Sequence, residues 1–301
     1  RATNNNNSSS TKDEDDIHMF HVHGRPVCAM EWTGNDTLLT ASYDGTVRKL
    51  NVERGTFEQV FATYNEDDQY ASKLGYGFDT TGGRNYWMQH VCVDHRSPSD
   101  CFFASTNLGD AFHIDLRSNQ RTFHHELSEK KINTLSLHPN GYSLASAGLD
   151  CTVKLWDLRK LGIFRLQAKP LAIQEAGKSV NSAFFSPSGN VLVSTTMAQH
   201  LDVTNNFHLC ASKTGKKAPL TANTTKPTHR LRHDNMTGRW LSTFMARWHP
   251  SLDTLVVGSM TKPRRMDVYK EFGKDGSAAP QRVDRTGEAV TAVASRCCFH
   301  P

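Results

Sequence analysis

Several features that would assign a sequence quickly to a protein class are missing here. No apolar run approaches roughly 18 residues, the length that a membrane-spanning helix needs, so no membrane contact is expected. Residues 1–16 are polar and acidic and lack the apolar segment of a secretory signal. The seven cysteines include no C-x-x-C pair and the fifteen histidines are scattered, so we expect neither a disulfide framework nor a zinc site. The pattern predicts a chain from a reducing compartment that needs no metal and no cofactor.

Sequence patterns of the common enzyme classes are absent as well. The chain has no G-x-S-x-G, no H-E-x-x-H and no P-loop, and the glycine-rich segment 66–86 does not end in Lys-Ser or Lys-Thr. We therefore expect no enzyme activity, no catalytic residue and no small-molecule substrate.

The charge balance favours an anionic partner. Lysine and arginine number 35 against 30 aspartate and glutamate, and four of the acids stand together at residues 13–16. The remainder of the chain is therefore more basic than the net charge of +5 implies.

A short apolar run that ends in a turn recurs along the chain. Its copies are residues 91–98, 135–139, 183–187, 246–250 and 297–301. The prolines of successive copies are 41, 48, 63 and 51 residues apart. Most copies precede two further apolar strands, which are separated by turn residues such as Asp44-Gly45. Because no segment has a long helical period, the sequence predicts an all-β repeat protein.

One copy identifies the type of repeat. Residues 131–159 read KINTLSLHPNGYSLASAGLDCTVKLWDLR and closely resemble a WD repeat, including the dipeptide Trp156-Asp157. Such repeats form four-stranded antiparallel blades of a β-propeller. Ser146 and Asp150 match the positions of a structural polar network in WD blades, and we interpret both as scaffold.

Counting the copies predicts an incomplete propeller. Five blades are expected at about residues 21–55, 85–119, 124–160, 176–209 and 229–270. One or two strands from about Ala289 to Pro301 would begin a sixth. Since WD propellers commonly have about seven blades, the predicted fold class is an all-β WD-repeat β-propeller in a truncated seven-blade form. Residues 1–18 are expected to be a disordered tail, and residues 19–301 the propeller.

A more specific segment follows the fourth repeat. Residues 233–250 read HDNMTGRWLSTFMARWHP, and together with residues 256–260 and 263–265 they resemble the family of WD repeat-containing protein 76 and its fungal counterpart, the changed-mutation-rate protein. A more distant likeness is to DNA damage-binding protein 2. The resemblance implies a nuclear, chromatin-associated protein that binds duplex DNA, takes part in the DNA-damage response and serves a cullin-4 ubiquitin ligase as substrate receptor.

DNA binding needs cations for the phosphates and an aromatic or apolar group for the bases. The predicted DNA-binding residues are Lys130, Lys131, Lys178, Arg230, Arg232, Arg239, Trp240, Arg264 and Arg265. Most of the cations precede the first strand of a repeat, so the repeat geometry should gather them on one face. Trp240 stands where the resemblance implies a hairpin that wedges into the duplex. The alternative is that Trp240 packs beneath its own loop.

The resemblance also implies a ligase contact. Residues 156–159 match the W-D-x-R box that substrate receptors present to the ligase adaptor, and residues 114–117 are a degenerate copy with isoleucine in place of tryptophan. The predicted adaptor-binding residues are Trp156, Asp157, Arg159 and Arg117. A different class of function stays open, namely a scaffold that reads histone or other peptides and makes no direct DNA contact.

Overall fold

The computed structural model describes residues 19–63, 77–78, 85–117, 120–161, 168–210, 223–236, 242–272, 279–285 and 290–299. This part of the chain contains strands, turns and one 3₁₀ turn at Phe207–Leu209. Among these residues, no helix has the length and apolar character needed to cross a membrane. The predicted disordered tail at residues 1–18 lies outside the described residues.

Five sheets of four or five strands follow one another along the chain. Sheet 1 contains β1 (Val27–Trp32), β2 (Thr37–Ser42), β3 (Thr46–Asn51) and β4 (Thr56–Ala62). A ribbon of β5 (Gly77–Phe78) and β6 (Asn85–Tyr86) follows. Sheet 2 contains β7 (Met88–Val93), β8 (Cys101–Thr106), β9 (Asp110–Asp115) and β10 (Gln120–Glu126). Sheet 3 contains β11 (Ile132–Leu137), β12 (Ser143–Gly148), β13 (Thr152–Asp157) and β14 (Ala172–Glu175).

The last two sheets have the same order with one addition. Sheet 4 contains β15 (Val180–Phe185), β16 (Val191–Thr196), β17 (His200–Asn205) and β19 (His229–Arg232). Its intervening strand β18 (Asn223–Thr225) instead joins the outer edge of sheet 3, parallel to β14. Sheet 5 contains β20 (Arg247–Trp248), β21 (Leu255–Ser259), β22 (Arg265–Lys270) and β23 (Gln281–Arg285). All other strand pairs within the five sheets are antiparallel, as the WD-repeat prediction requires.

Apolar side chains pack between each pair of neighbouring sheets. In β8 the consecutive residues Phe102 and Phe103 are both buried, because successive side chains of a strand point to opposite faces. Phe102 packs with sheet 1, and Phe103 packs with sheet 3. Similar clusters join sheet 3 to sheet 4 and sheet 4 to sheet 5. Sheets 2, 3 and 4 are therefore covered on both faces, which is the packing of propeller blades.

The first strands of the sheets lie innermost and contact one another. β7 touches both β1 and β11, and β11 touches β15. The indole N–H of Trp248 in β20 donates to the carbonyl oxygen of Phe184 in β15, with 2.9 Å between the two atoms. The sheets are thus arranged about a common axis.

The structure corrects the predicted blade boundaries. Four-stranded blades were predicted and are present, but each predicted range ended after the third strand and left out the outer one. The outer strands lack the apolar marker that ends in a turn, and β19 and β23 are largely polar, so the sequence pattern did not separate them from loops. As a result, residues 124–126 belong to sheet 2 rather than to the third blade, and His229–Arg232 belong to sheet 4 rather than to the fifth blade.

The predicted strands of a sixth blade are not formed in the described part of residues 289–301. Residues 290–299 contain no strand, and their only ladder contact is a parallel bridge between Arg296 and Met245. A strand needs a continuous series of partners, and one bridge does not provide it. The charge of Arg296 also acts on Cys28 and Tyr43 of sheet 1, so this segment lies between sheets 5 and 1.

The polar network predicted in the third blade is divided in two. The indole N–H of Trp156 donates to the Ser146 hydroxyl at 2.9 Å, and both side chains are buried. Asp150 instead accepts from the Ser128 hydroxyl at 3.0 Å and pairs with Lys154 at 2.6 Å. All of these contacts are internal, which agrees with a scaffold role.

Candidate nucleic-acid interface

The loops before the first strands and the turns between the second and third strands share one side of the molecule, which we call the upper face. Main-chain bonds join the two kinds of loop: Leu149 N donates to Lys131 O at 2.9 Å, and Met197 N donates to Ser179 O at 2.9 Å. In sheet 5, Met260 N donates to Asp234 O at 3.0 Å. The opposite ends of the strands form the lower face.

Three predicted lysines lie in the loops of the upper face. Lys130 and Lys131 precede β11, and Lys178 precedes β15. Lys130 and Lys178 are exposed, whereas Lys131 is half-buried, and burial lowers the pKa of its ammonium group. The repeat therefore does gather these sequence-distant cations on one side.

Gly109 shows why this face has a fixed shape. It occupies the turn between β8 and β9 with a φ of 92°, and a Cβ atom there would overlap the carbonyl oxygen of Ser128. The main-chain N–H groups of Leu127 and Ser128 donate to Gly109 O at 3.0 and 3.2 Å. Glycine is needed here because both the backbone conformation and the close approach exclude a side chain. The loop that carries Lys130 is thereby anchored to the neighbouring turn.

Arg230 is held by an internal ion pair. Its guanidinium binds both carboxylate oxygens of Asp202 at 2.7 and 3.2 Å, and the Asp202 side chain is fully buried. The two residues face each other across β17 and β19. The fold therefore balances the charge of Arg230, and the ion pair holds the outer strand β19 against β17.

Arg232, two residues further along β19, borders a cleft between sheets 4 and 5. The cleft has a volume of about 410 Å³ and is lined by three arginines, Arg232, Arg265 and Arg282. Arg265 pairs with the buried Asp267 at 3.0 Å. Arg264, in the preceding turn, donates to the carbonyl oxygen of Met260 at 2.6 Å. Arg232 and Arg264 therefore extend the positive surface of the upper face, whereas Asp267 balances the charge of Arg265.

Arg282 was missed by the sequence analysis. It lies in β23, the outer strand that the repeat pattern did not reveal, and is exposed at the cleft. The sequence contained one signal that could have indicated β23, namely a polar segment of strand length after the third strand of the repeat. The other two predicted residues of this region, Arg239 and Trp240, lie outside the described residues.

The predicted adaptor residues lie at the lower end of sheets 2 and 3. Arg159 follows β13, and its guanidinium binds both oxygens of Asp157 at 2.9 Å while lying 3.9 Å from the centre of the Tyr142 ring. Arg117 follows β9 and binds Asp115 in the same way, at 3.0 and 2.7 Å. Both arginines are exposed. The third strands of sheets 2 and 3 are therefore each followed by an exposed guanidinium group on the side opposite Lys130 and Lys178.

The remaining adaptor residues are internal. Trp156 and the Asp157 carboxylate are buried, and the hydrogen bond from Arg159 is the first cause of the lowered pKa of Asp157. Within the described ranges, no group of three or more His, Cys, Asp or Glu side chains could hold a metal ion.

Comparison with known proteins agrees with this architecture. The WD domain, G-beta repeat model matches residues 15–49 and 117–157. A chain in the crystal structure of the mitotic checkpoint complex has a similar fold, with a TM-score of 0.57 and 12% sequence identity over 86% of this chain and 66% of that chain. The chain is a WD-repeat protein with a β-propeller fold.

The sequence relatives are more specific. WD repeat-containing protein 76 of Xenopus laevis is 31% identical over 86% of this chain, and that of Mus musculus is 29% identical over 96%. DNA damage-binding protein CMR1 of Chaetomium globosum is 29% identical over 95%. The chain belongs to the family of WD repeat-containing protein 76 and CMR1. It spans 40%, 41% and 51% of the length of these three relatives.

Proposed function

We propose that this chain is a non-enzymatic, nuclear DNA-binding protein of chromatin that acts in the DNA-damage response. The observation that carries the proposal is the convergence of Lys130, Lys131 and Lys178 on the upper face. The name of the CMR1 relatives, DNA damage-binding protein, supports the same function.

The electrostatics of the upper face suit a phosphate backbone. Lys130 and Lys178 are exposed cations in neighbouring loops, and the potentials of neighbouring cations add. Arg232 and Arg264 continue the positive surface toward sheet 5, and Arg265, paired with Asp267, lies in the same region. Cations that follow a backbone bind without regard to sequence, so we expect affinity for duplex DNA in general. Arg239 is a further proposed phosphate contact, and Trp240 is the proposed contact to the bases.

A salt titration of duplex binding tests the proposal. Replacing Lys130, Lys131 and Lys178 together by glutamine should flatten the plot of log affinity against log salt by about two to three units, because each lost phosphate contact removes about 0.9. The matched control replaces Arg54, Lys160 and Lys270, three exposed cations of the lower face, by glutamine. Its slope should equal that of the wild type.

Two results would contradict the proposal. One is an upper-face variant that keeps the wild-type slope. The other is a wild-type protein whose binding to duplex DNA does not depend on salt. Either result would favour the alternative class, a scaffold that reads histone or other peptides.

The lower face supports a second proposal, recruitment by the adaptor of a cullin-4 ubiquitin ligase. The supporting observation is that Arg117 and Arg159 follow the third strands of neighbouring blades, each exposed and each fixed by an aspartate two residues earlier. A bidentate ion pair limits the rotamers of a guanidinium, so less entropy is lost when a partner binds it. Because the lower face is opposite the lysines, one molecule could bind DNA and the adaptor together.

A further inference from the structure

The cleft between sheets 4 and 5 differs from the rest of the upper face. It is concave, whereas Lys130 and Lys178 stand in exposed loops. Its three guanidinium groups come from three different strands, since Arg232 ends β19, Arg265 begins β22, and Arg282 belongs to β23. Arginines that converge from separate elements can contact one anion from several sides.

The walls of the cleft are fixed by the fold. The buried ring of His233 donates through Nε2 to the carbonyl oxygen of Gly258 at 2.8 Å and packs edge-on against Phe244. The main-chain N–H of His233, the residue that follows Arg232, donates to Gln199 O at 3.0 Å. This bond holds the end of β19 against the turn before β17. On the other wall, Asp267 orients Arg265. Little reorganisation is therefore required when a ligand enters.

Acceptor groups accompany the arginines in the same cleft. Asp234 is exposed at its margin, and the buried Asp267, which pairs with Arg265, lines it together with Gln199 and Thr261. A nucleic-acid strand carries a phosphate at every nucleotide, so its neighbouring phosphates would face the Asp234 carboxylate and be repelled. A peptide that carries one phosphate has main-chain N–H groups on either side, and these can donate to Asp234 and Gln199.

We infer that the cleft of Arg232, Arg265 and Arg282 binds a phosphoserine or phosphothreonine side chain of a partner peptide. The phosphate has three strong acceptor oxygens and close to two negative charges at neutral pH. Recognition of phosphorylated segments by arginine clusters is an established mode of peptide binding. The volume of about 410 Å³ accommodates the phosphorylated side chain together with adjoining main chain. This site shares Arg232 and Arg265 with the proposed DNA surface, but it does not depend on Lys130, Lys131 or Lys178.

Fluorescence polarisation with a short labelled peptide tests the inference. The peptide carries a single central phosphoserine between glycine and alanine residues, and its partner probe is the same peptide without the phosphate. We expect the phosphorylated probe to bind at least about tenfold more tightly, and Arg282→Gln to reduce its affinity by about tenfold. Lys270→Gln, which removes an exposed cation from the lower end of the same sheet, should leave the affinity within about twofold.

Arg232→Gln is the second variant, and thermal unfolding checks that both cleft variants are folded. Loss of phosphopeptide binding in a folded Arg232→Gln protein would support the inference as well. Equal binding of the two peptides, or unchanged binding by both folded variants, would overturn it. Stronger displacement of the probe by a duplex with a terminal 5′-phosphate than by unlabelled phosphopeptide would also overturn it, because the cleft would then serve nucleic acid.

Discussion

Gly258 in β21 lies directly against the main chain of Ala294, so that a Cβ atom at position 258 would overlap the Ala294 carbonyl oxygen. The contact fastens the segment of residues 290–299 to sheet 5, beside the bridge between Met245 and Arg296. The position of this segment therefore depends on the absence of a side chain at one residue of a neighbouring sheet.

Gly258→Ala should displace residues 290–299 from sheet 5. The added methyl group meets backbone, which cannot rotate away, and it also approaches Phe244 at 3.1 Å. We expect faster hydrogen exchange in residues 290–299 and a stability loss of about 1–3 kcal/mol, typical of overpacking. Gly24→Ala is the control, since nothing lies within 4 Å of a Cβ built there. Equal exchange in the two variants would contradict the contact.

His233 should make stability depend on pH. Burial lowers its pKa to about 4, against the ordinary value of 6.5. The unfolded chain therefore binds more protons than the folded one between these values, and the free energy of unfolding should fall as pH falls from about 6.5 to about 4. The loss assigned to this residue is on the order of 3 kcal/mol.

Urea unfolding of His233→Gln across that range measures the contribution. Glutamine does not titrate, and its amide can still donate toward Gly258, so the variant should lose less stability than the wild type on acidification. His95→Gln changes an exposed histidine and should follow the wild type. A His233→Gln curve parallel to that of the wild type would exclude His233 as the origin.

The inner three strands of sheets 2 and 3 could be predicted because they are largely apolar and mostly buried on both faces. In β12, for example, every residue is buried, and the apolar run is visible without any partner. The outer strand β19 alternates half-buried and exposed residues, and its place is decided by pairing with β17 across an insertion. Such pairing is a tertiary property, so the sequence left His229–Arg232 in the wrong blade.

The same reason limited the prediction of the site. Lys130 and Lys178 could be placed on one face because a repeat fixes where each loop returns. The ion pair between Arg230 and Asp202 depends on the register of two strands, and the sequence does not state that register. Arg282 was missed together with its strand.

Arg159→Ala should weaken adaptor binding in a pull-down and leave the thermal unfolding temperature nearly unchanged, because the arginine is exposed. Arg96→Ala is a matched control on the same face, since Arg96 binds both oxygens of Asp94 two residues earlier. It should retain adaptor binding. Equal losses in the two variants would mean that general positive charge acts rather than the W-D-x-R arginine.

Glu31 should give the opposite pH dependence to His233. It lies in β1 near Arg247 of β20, and burial raises its pKa to about 7 although the Arg247 charge opposes the shift. The folded state therefore binds more protons than the unfolded state between the ordinary value of 4.5 and about 7, so this residue adds stability as pH falls through that window.

Glu31→Gln removes the titration without changing the shape of the side chain. Above about pH 7 the wild type carries a desolvated carboxylate that the variant lacks, so the variant should be more stable by about 2 kcal/mol near pH 8. Near pH 4.5 the folded wild type is protonated at this position, and the difference should vanish. Urea unfolding at the two pH values measures it, with Glu58→Gln, an exposed position of the same sheet, as the control. A Glu31→Gln protein that is less stable at both values would show instead that the carboxylate is needed as the partner of Arg247.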